Sequence, residues 1–131
     1  MSTTATNHPT LETLTEQRTI LLTTFKRDGS PIGTPVNVVV KDGRAYFRTY
    51  DKAWKAKRLR NNPNVEVAHS KYMGKTTSDK VKGHARLLSD AEAKPVRRLL
   101  ARKHPIQQGI AVPILHKLKG YKTLHYELVL D

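Results

Sequence analysis

The stretch RTILLTTFKRDGSPIGTPVNVVVKDGRAYFRTY, residues 18–50, decides the fold. Its first apolar and β-branched run, Ile20-Leu21-Leu22-Thr23-Thr24-Phe25, predicts a strand. Arg27-Asp28-Gly29-Ser30 is a turn signal. Ile32 to Val40 reads as a second strand, with Val36, Val38 and Val40 on one face and Asn37 and Val39 on the other. Lys41-Asp42-Gly43 carries the Asp-Gly hairpin signal, and Ala45 to Tyr50 form the return strand. Residues 19–50 therefore read as a three-stranded antiparallel meander.

Upstream, residues 1–10 read as a disordered polar tail, and Leu11 and Leu14 mark a short helix ending near Gln17. Downstream, Asp51 is a good N-cap for a helix over Ala53 to Asn61, which Pro63 ends. Val65, Val67 and His69 continue as a strand, residues 71–79 are a flexible polar loop, and Val81 to Leu88 are another strand. Ser89 with Glu92 fits a capping box for a helix to about His104, which Pro95 should kink or shorten. A short helix through Ile114, Leu115 and Leu118 fits residues 105–118, and Tyr121 to Leu130 alternate as a final strand. The sum is a mainly β (α+β) chain of about six strands. A small barrel with helices packed outside, one domain over residues 11–131, is the expected architecture.

Composition narrows the function classes. The 131 residues contain no cysteine, so disulfides, thiolate metal sites and thiol catalysis are excluded. No apolar run approaches the ~20 residues of a membrane-spanning helix. The start, MSTTATNHPT, has neither a basic region nor an apolar one, so a cytoplasmic location is expected. Lys and Arg number 24 against 11 Asp and Glu, a net charge of +13 that calls for an anionic partner: nucleic acid, an anionic lipid surface or a polyanionic small molecule. Eight of the basic residues fall between Lys41 and Arg60. A second cluster (Lys94, Arg97, Arg98, Arg102, Lys103) and a third (Lys117, Lys119, Lys122) read equally well as solvated faces.

The first cluster spans a strand-to-helix junction, Arg48-Thr49-Tyr50-Asp51-Lys52-Ala53-Trp54-Lys55-Ala56-Lys57-Arg58. Helix N-termini expose free N–H groups and a partial positive charge. Lys52, Lys55 and Arg58 stand three apart, so they share a face if helical, and Thr49 adds a hydroxyl. This is the chemistry of a phosphate site. An amphipathic helix with Trp54 and Leu59 buried and its lysines in water reads the same residues without function.

With these segments in view, the sequence resembles the split β-barrel flavin and deazaflavin enzymes, relatives of pyridoxamine-phosphate oxidase, and their deazaflavin-dependent branch most closely. RTILLTTFKRDGSPIGTPV (18–36), KDGRAYFRT (41–49), KAKRLRNNPNVEVA (55–68) and KVKGHARLL (80–88) carry the resemblance. It implies a six-stranded, FMN-binding-like split barrel that forms a homodimer with cofactor sites at the interface. The cofactor ring would lie against Pro35, Val36, Asn37 and Val38, largely through backbone contacts. Its phosphate end would be held by Arg48, Thr49 and Lys55. Lys52, Lys57 and Arg58 would attract the phospholactate and oligoglutamate tail of the deazaflavin, coenzyme F-420. The FMN oxidases carry an arginine where this chain has Trp54, and deazaflavin relatives often carry an aromatic where it has Asn37.

By the same resemblance, reduced deazaflavin passes a hydride to an electron-poor small organic substrate. Tyr50, His69, Tyr72 and Tyr126 are candidate proton donors, with solvent as the alternative. FMN or haem in the same fold, and a basic nucleic-acid-binding barrel that stacks bases on Tyr46, Phe47 and Tyr50, are the competing readings. Alternation predicts that two of those three aromatics face the core. The six histidines form no ligand spacing, so no metal is expected.

Overall fold

The computed structural model describes residues 9–71, 75–104, 120 and 122–131. In chain order the elements are α1 (Leu11–Glu16), β1 (Thr19–Phe25), β2 (Pro31–Asn37), β3 (Val39–Lys41), β4 (Arg44–Tyr50), α2 (Trp54–Asn61), β5 (Asn64–His69), β6 (Val81–Leu87), α3 (Asp90–Lys103) and β7 (Thr123–Leu130). The chain is mainly β, with three helices among the described residues.

The strands form one sheet in the order β2-β1-β5-β6-β7-β4-β3, and every neighbouring pair is antiparallel. β2 and β3 stand at opposite ends of that order, yet only Val38 separates them in the chain. The sheet must therefore curl until its two ends meet at Val38. Here the structure divides what the sequence predicts as one strand, Ile32 to Val40. Asn37 pairs with Thr19 of β1, whereas Val39 pairs with Tyr46 of β4. A strand keeps its partner only while its backbone groups point the same way, and at Val38 the segment leaves one partner for the other. The result is seven strands among the described residues where about six were expected, and β2 and β3 are not adjacent members of a meander.

The valine alternation holds through this corner. Val36 and Val38, with Val40 against them, join the interior cluster of Ile20, Leu22, Phe47, Val65, Val67, Tyr126 and Leu128. Leu14 of α1 and Leu59 of α2 pack into the same cluster. Phe47 and Tyr126 stack with ring centroids 5.1 Å apart and planes 9° from parallel. Val39 faces the other way, into a second cluster with Leu88, Val96 and Leu100 that seats α3 on the outside of the sheet.

Local signals account for most of the helices. Thr10 and Thr13 form a capping box at the start of α1, so Thr10 and the buried Pro9 belong to the fold rather than to a tail; residues 1–8 lie outside the described residues. The half-buried Lys103 closes the other end of α1, donating to the carbonyls of Thr15 (3.2 Å) and Gln17 (2.7 Å). Ser89 and Glu92 make the predicted capping box of α3. Pro95 does not shorten α3, which runs 14 residues through it. The proline forfeits one hydrogen bond, while Ala93, Val96 and Leu100 on the buried face hold the helix down. Residues 72–74 of the loop, Tyr72 among them, and the whole of the 105–118 segment read as a short helix lie outside the described residues.

Candidate cofactor site at the β4–α2 junction

β4 ends at Tyr50, and α2 starts at Trp54 with Ala53 as its N-cap. The expected N-cap, Asp51, is used elsewhere. Its N–H donates to the Lys122 carbonyl at 2.8 Å, and its carboxylate Oδ1 accepts the Lys122 N–H at 3.1 Å. Ala53 offers no side-chain cap, and the first turn of α2 holds no acidic residue. The first N–H groups of α2 are therefore uncapped by side chains at the positive end of the helix dipole. Cations gathered at this end oppose helix stability. That is the pattern of a site built for an external anion rather than for the helix itself.

Lys55 and Arg58 share one face of α2, as their spacing predicts. Lys55 is half-buried; burial, with the charge of Arg58 second, pulls its ammonium down to about 8. Arg58 is fixed in place by its Nε–H, which donates to Thr24 Oγ1 of β1 at 2.7 Å. Lys52 is exposed and precedes the N-cap, so helical spacing does not join it to Lys55. The buried face of α2 is Ala56 and Leu59, which leaves Trp54 out. Trp54 is 71% exposed, unlike in the alternative reading that buries it with Leu59, and the Lys57 ammonium lies 4.5 Å from its ring centroid.

Beside this face, α2 and the end of β1 enclose a cleft of about 760 Å³ lined by Phe25, Lys26, Arg27, Trp54, Lys57, Arg58, Arg60 and Asn61. Five of these side chains are cationic and none is acidic. Phe25, Lys26, Arg27, Arg60 and Asn61 were missed as site residues. Only the packing of α2 on β1 brings the two segments together, and no local motif marks it.

The side chains of Arg48 and Thr49 lie on opposite faces of β4. Neighbours on a strand project to opposite faces. Thr49 is buried on the Phe47 side, while Arg48 is on the α3 side, 8% exposed. Burial and the charge of Arg97 hold the Arg48 guanidinium down to about 10. Arg48 pairs in register with His125 of β7. His125 is 3% exposed, and its Nε2 has no hydrogen-bond partner among the described residues. Burial, then Arg48 and Arg97, lower this imidazole to about 4.

On the ring side, Pro35 is exposed, Asn37 is half-buried, and Val36 and Val38 point into the core. Among the described residues β2 pairs with β1 alone, so the backbone of its other edge lies outside that ladder. Of the candidate proton donors, Tyr126 is stacked in the interior, and burial raises its phenol. The ring Nε2 of the buried His69 is 2.8 Å from Thr13 Oγ1. Tyr50 is half-buried at the end of β4. Of the aromatics offered for base stacking, Phe47 alone is in the interior cluster, whereas Tyr46 packs against the α3 cluster. Among the described residues, no helix is long and apolar enough to cross a membrane, and no three His, Asp or Glu side chains group as metal ligands.

The family profile described as pyridoxamine 5'-phosphate oxidase matches residues 8–112. The chain is similar in structure to a FAD-binding protein from Mesorhizobium loti, with a TM-score of 0.68 and 20% identity over 92% of this chain and 86% of that one. It is similar to a conserved hypothetical protein from Mycobacterium tuberculosis, with a TM-score of 0.67 and 20% identity over 96% and 84% of the two chains. HutZ, the haem storage protein from Vibrio cholerae, gives a TM-score of 0.65 and 16% identity over 92% and 86%. At such identities the likeness is one of fold. No curated protein matches the sequence.

Proposed function

The chain belongs to the pyridoxamine 5'-phosphate oxidase family, and from that membership we propose that it is a deazaflavin-dependent oxidoreductase acting as a homodimer on an electron-poor small organic substrate. The observation that carries the proposal is the half-buried Lys55 beside Arg58 at an uncapped helix start. A cation in this setting is stabilised by an anion, and the donors present fit a phosphate or phosphodiester. Lys55, Arg58 and the first N–H groups of α2 would hold that group. The backbone edge of β2 at Pro35 to Val38 would orient the ring. Lys52 and Lys57, with the cationic cleft, would draw in further negative charge.

When bound, the reduced deazaflavin supplies a hydride to the substrate's electron-poor double bond. The chain binds and orients; it does not supply the electrons. One of the candidate donors Tyr50, His69, Tyr72 and Tyr126, or solvent, delivers the proton that completes the reduction.

FMN, FAD or haem in the same place is the second reading, favoured by the shared fold of the FAD-binding and haem storage proteins. Trp54 speaks against FMN, because it stands where the resembling FMN oxidases carry an arginine. The test is a parallel binding titration of the apo protein with deazaflavin, FMN, FAD and haem, repeated on Lys55→Ala. Tight, Lys55-dependent binding of deazaflavin alone supports the proposal. Tight binding of another cofactor in its place overturns it.

A further inference from the structure

We propose that His104 is a positioning residue for the cofactor ring: from the end of α3 it holds the backbone corner at Val38, the last residue of the edge against which the ring would lie. The ring's place along Pro35 to Val38, on which this role rests, is that of the proposed function. Val38 needs a partner from elsewhere in the fold. Asn37 pairs with Thr19 and Val39 with Tyr46, so among the described residues Val38 belongs to neither ladder. It is fully buried, so solvent does not reach it, and a bare peptide group there is costly. Its N–H donates to the Arg18 carbonyl at 3.4 Å, a long bond. Its carbonyl lies 3.2 Å from His104 Nε2. A carbonyl only accepts, so Nε2 carries the hydrogen.

The donor is itself fixed. His104 is 6% exposed and ends α3, where its backbone N–H donates to the Leu100 carbonyl at 2.8 Å. Its neighbour Lys103 is anchored on the carbonyls of Thr15 and Gln17, and Leu100 packs with Val39 just past the corner. The last turn of α3 therefore grips the chain both before β1 and at the corner. A hydrogen bond to a carbonyl orients the peptide plane that carries it. The Val38–Val39 peptide is the one that takes the chain from the ladder of β1 to that of β4, so its orientation sets where the free edge of β2 points. Packing alone asks only for bulk, which leucine supplies. The carbonyl asks for a donor at the reach of Nε2, which glutamine supplies and asparagine, one methylene shorter, does not.

His104→Gln, His104→Asn and His104→Leu separate the two roles. In the apo protein, the carbonyl carbon resonance of Val38 reports the hydrogen bond. It should keep its native position in His104→Gln and move upfield in His104→Asn and His104→Leu. Each protein is then titrated with deazaflavin and with FMN, and both the affinity and the absorption band of the bound ring are followed. With whichever of the two the native chain binds, His104→Asn and His104→Leu should weaken binding by about tenfold and return the band toward that of free cofactor, whereas His104→Gln should stay within about twofold of native. Inorganic phosphate, which has no ring, should bind all three within about twofold of native, and Lys55→Ala should lose phosphate while keeping the native Val38 resonance. Native affinity and band in both His104→Asn and His104→Leu overturn the positioning role. So does loss of phosphate binding alongside ring binding, which marks general damage, and so does a His104→Gln protein that keeps the Val38 resonance yet binds like His104→Leu. A native chain that binds neither cofactor overturns the cofactor reading and this role together, and binding indifferent to Lys55→Ala overturns the phosphate reading alone.

Discussion

Arg58 on α2 donates its Nε–H to the hydroxyl of Thr24 on β1 at 2.7 Å, which fixes the guanidinium on the face it shares with Lys55. The repulsion between the two cations is therefore built into the fold rather than relieved by a swing of the arginine. Thr24→Val keeps the shape of the fully buried threonine and removes the acceptor. It should lower stability by about 1–2 kcal/mol and weaken anion binding by about threefold to tenfold. Chemical denaturation and a cofactor titration check the two effects separately.

Lys55 ties cofactor binding to pH. An anion favours the charged ammonium, so binding raises its proton affinity. Affinity should be level below about 8 and fall as pH rises beyond it, with proton uptake on binding. Calorimetry in buffers of different ionisation enthalpy reads that uptake. The lowered value also means that the charged lysine disfavours the apo fold at neutral pH. Lys55→Met should therefore abolish anion binding yet raise the apo Tm by about 3–6 °C. A variant that loses both binding and stability would show Lys55 to be structural.

His125 sets an acid limit on stability. An unfolded imidazole takes its proton near 6.5, whereas the folded one resists down to about 4. Above the first value neither state binds the proton, and the full stability is present. As pH falls through the window, only the unfolded chain gains a proton, so stability drops by about 3 kcal/mol. His125→Gln should flatten this stretch of the stability profile. A separate loss follows at lower pH. Hydrogen bonds from Arg86 and Ser89 hold the Glu92 carboxyl down to about 2 from near 4.5, so its contribution disappears as pH falls between those values.

Gly83 tests the sheet. A Cβ built there would lie 2.5 Å from the Val129 carbonyl oxygen of the neighbouring strand. That backbone cannot retreat without breaking the β6–β7 ladder. Gly83→Ala should lower stability by about 2–3 kcal/mol, measured by denaturant midpoint, with no change in cofactor specificity.

Much of the fold was legible because periodicity and turn chemistry act locally. The Val36, Val38, Val40 stripe, the Asp42-Gly43 turn and the Ser89–Glu92 capping box each declare themselves within a few residues. The break at Val38 was not legible, because it marks a change of partner and nothing in the residue itself. The site divides in the same way. Lys55 and Arg58 follow from helical spacing. Thr24 and Phe25 beneath them come from a strand more than thirty positions away, and Asp51 was misread because Lys122 claims it. The strand alternation that places Phe47 inside turns its neighbour Arg48 toward the α3 side, away from Thr49.

β7 is the last strand in the sequence, yet it is inserted between β6 and β4. On the ribosome, both of those strands emerge long before the one that joins them. Until residues 123–130 leave the exit tunnel, the nascent chain holds two open ladders rather than one sheet. Completion of the sheet thus waits for that octet, and a chain lacking it keeps two unpaired flanks open to chaperones or aggregation.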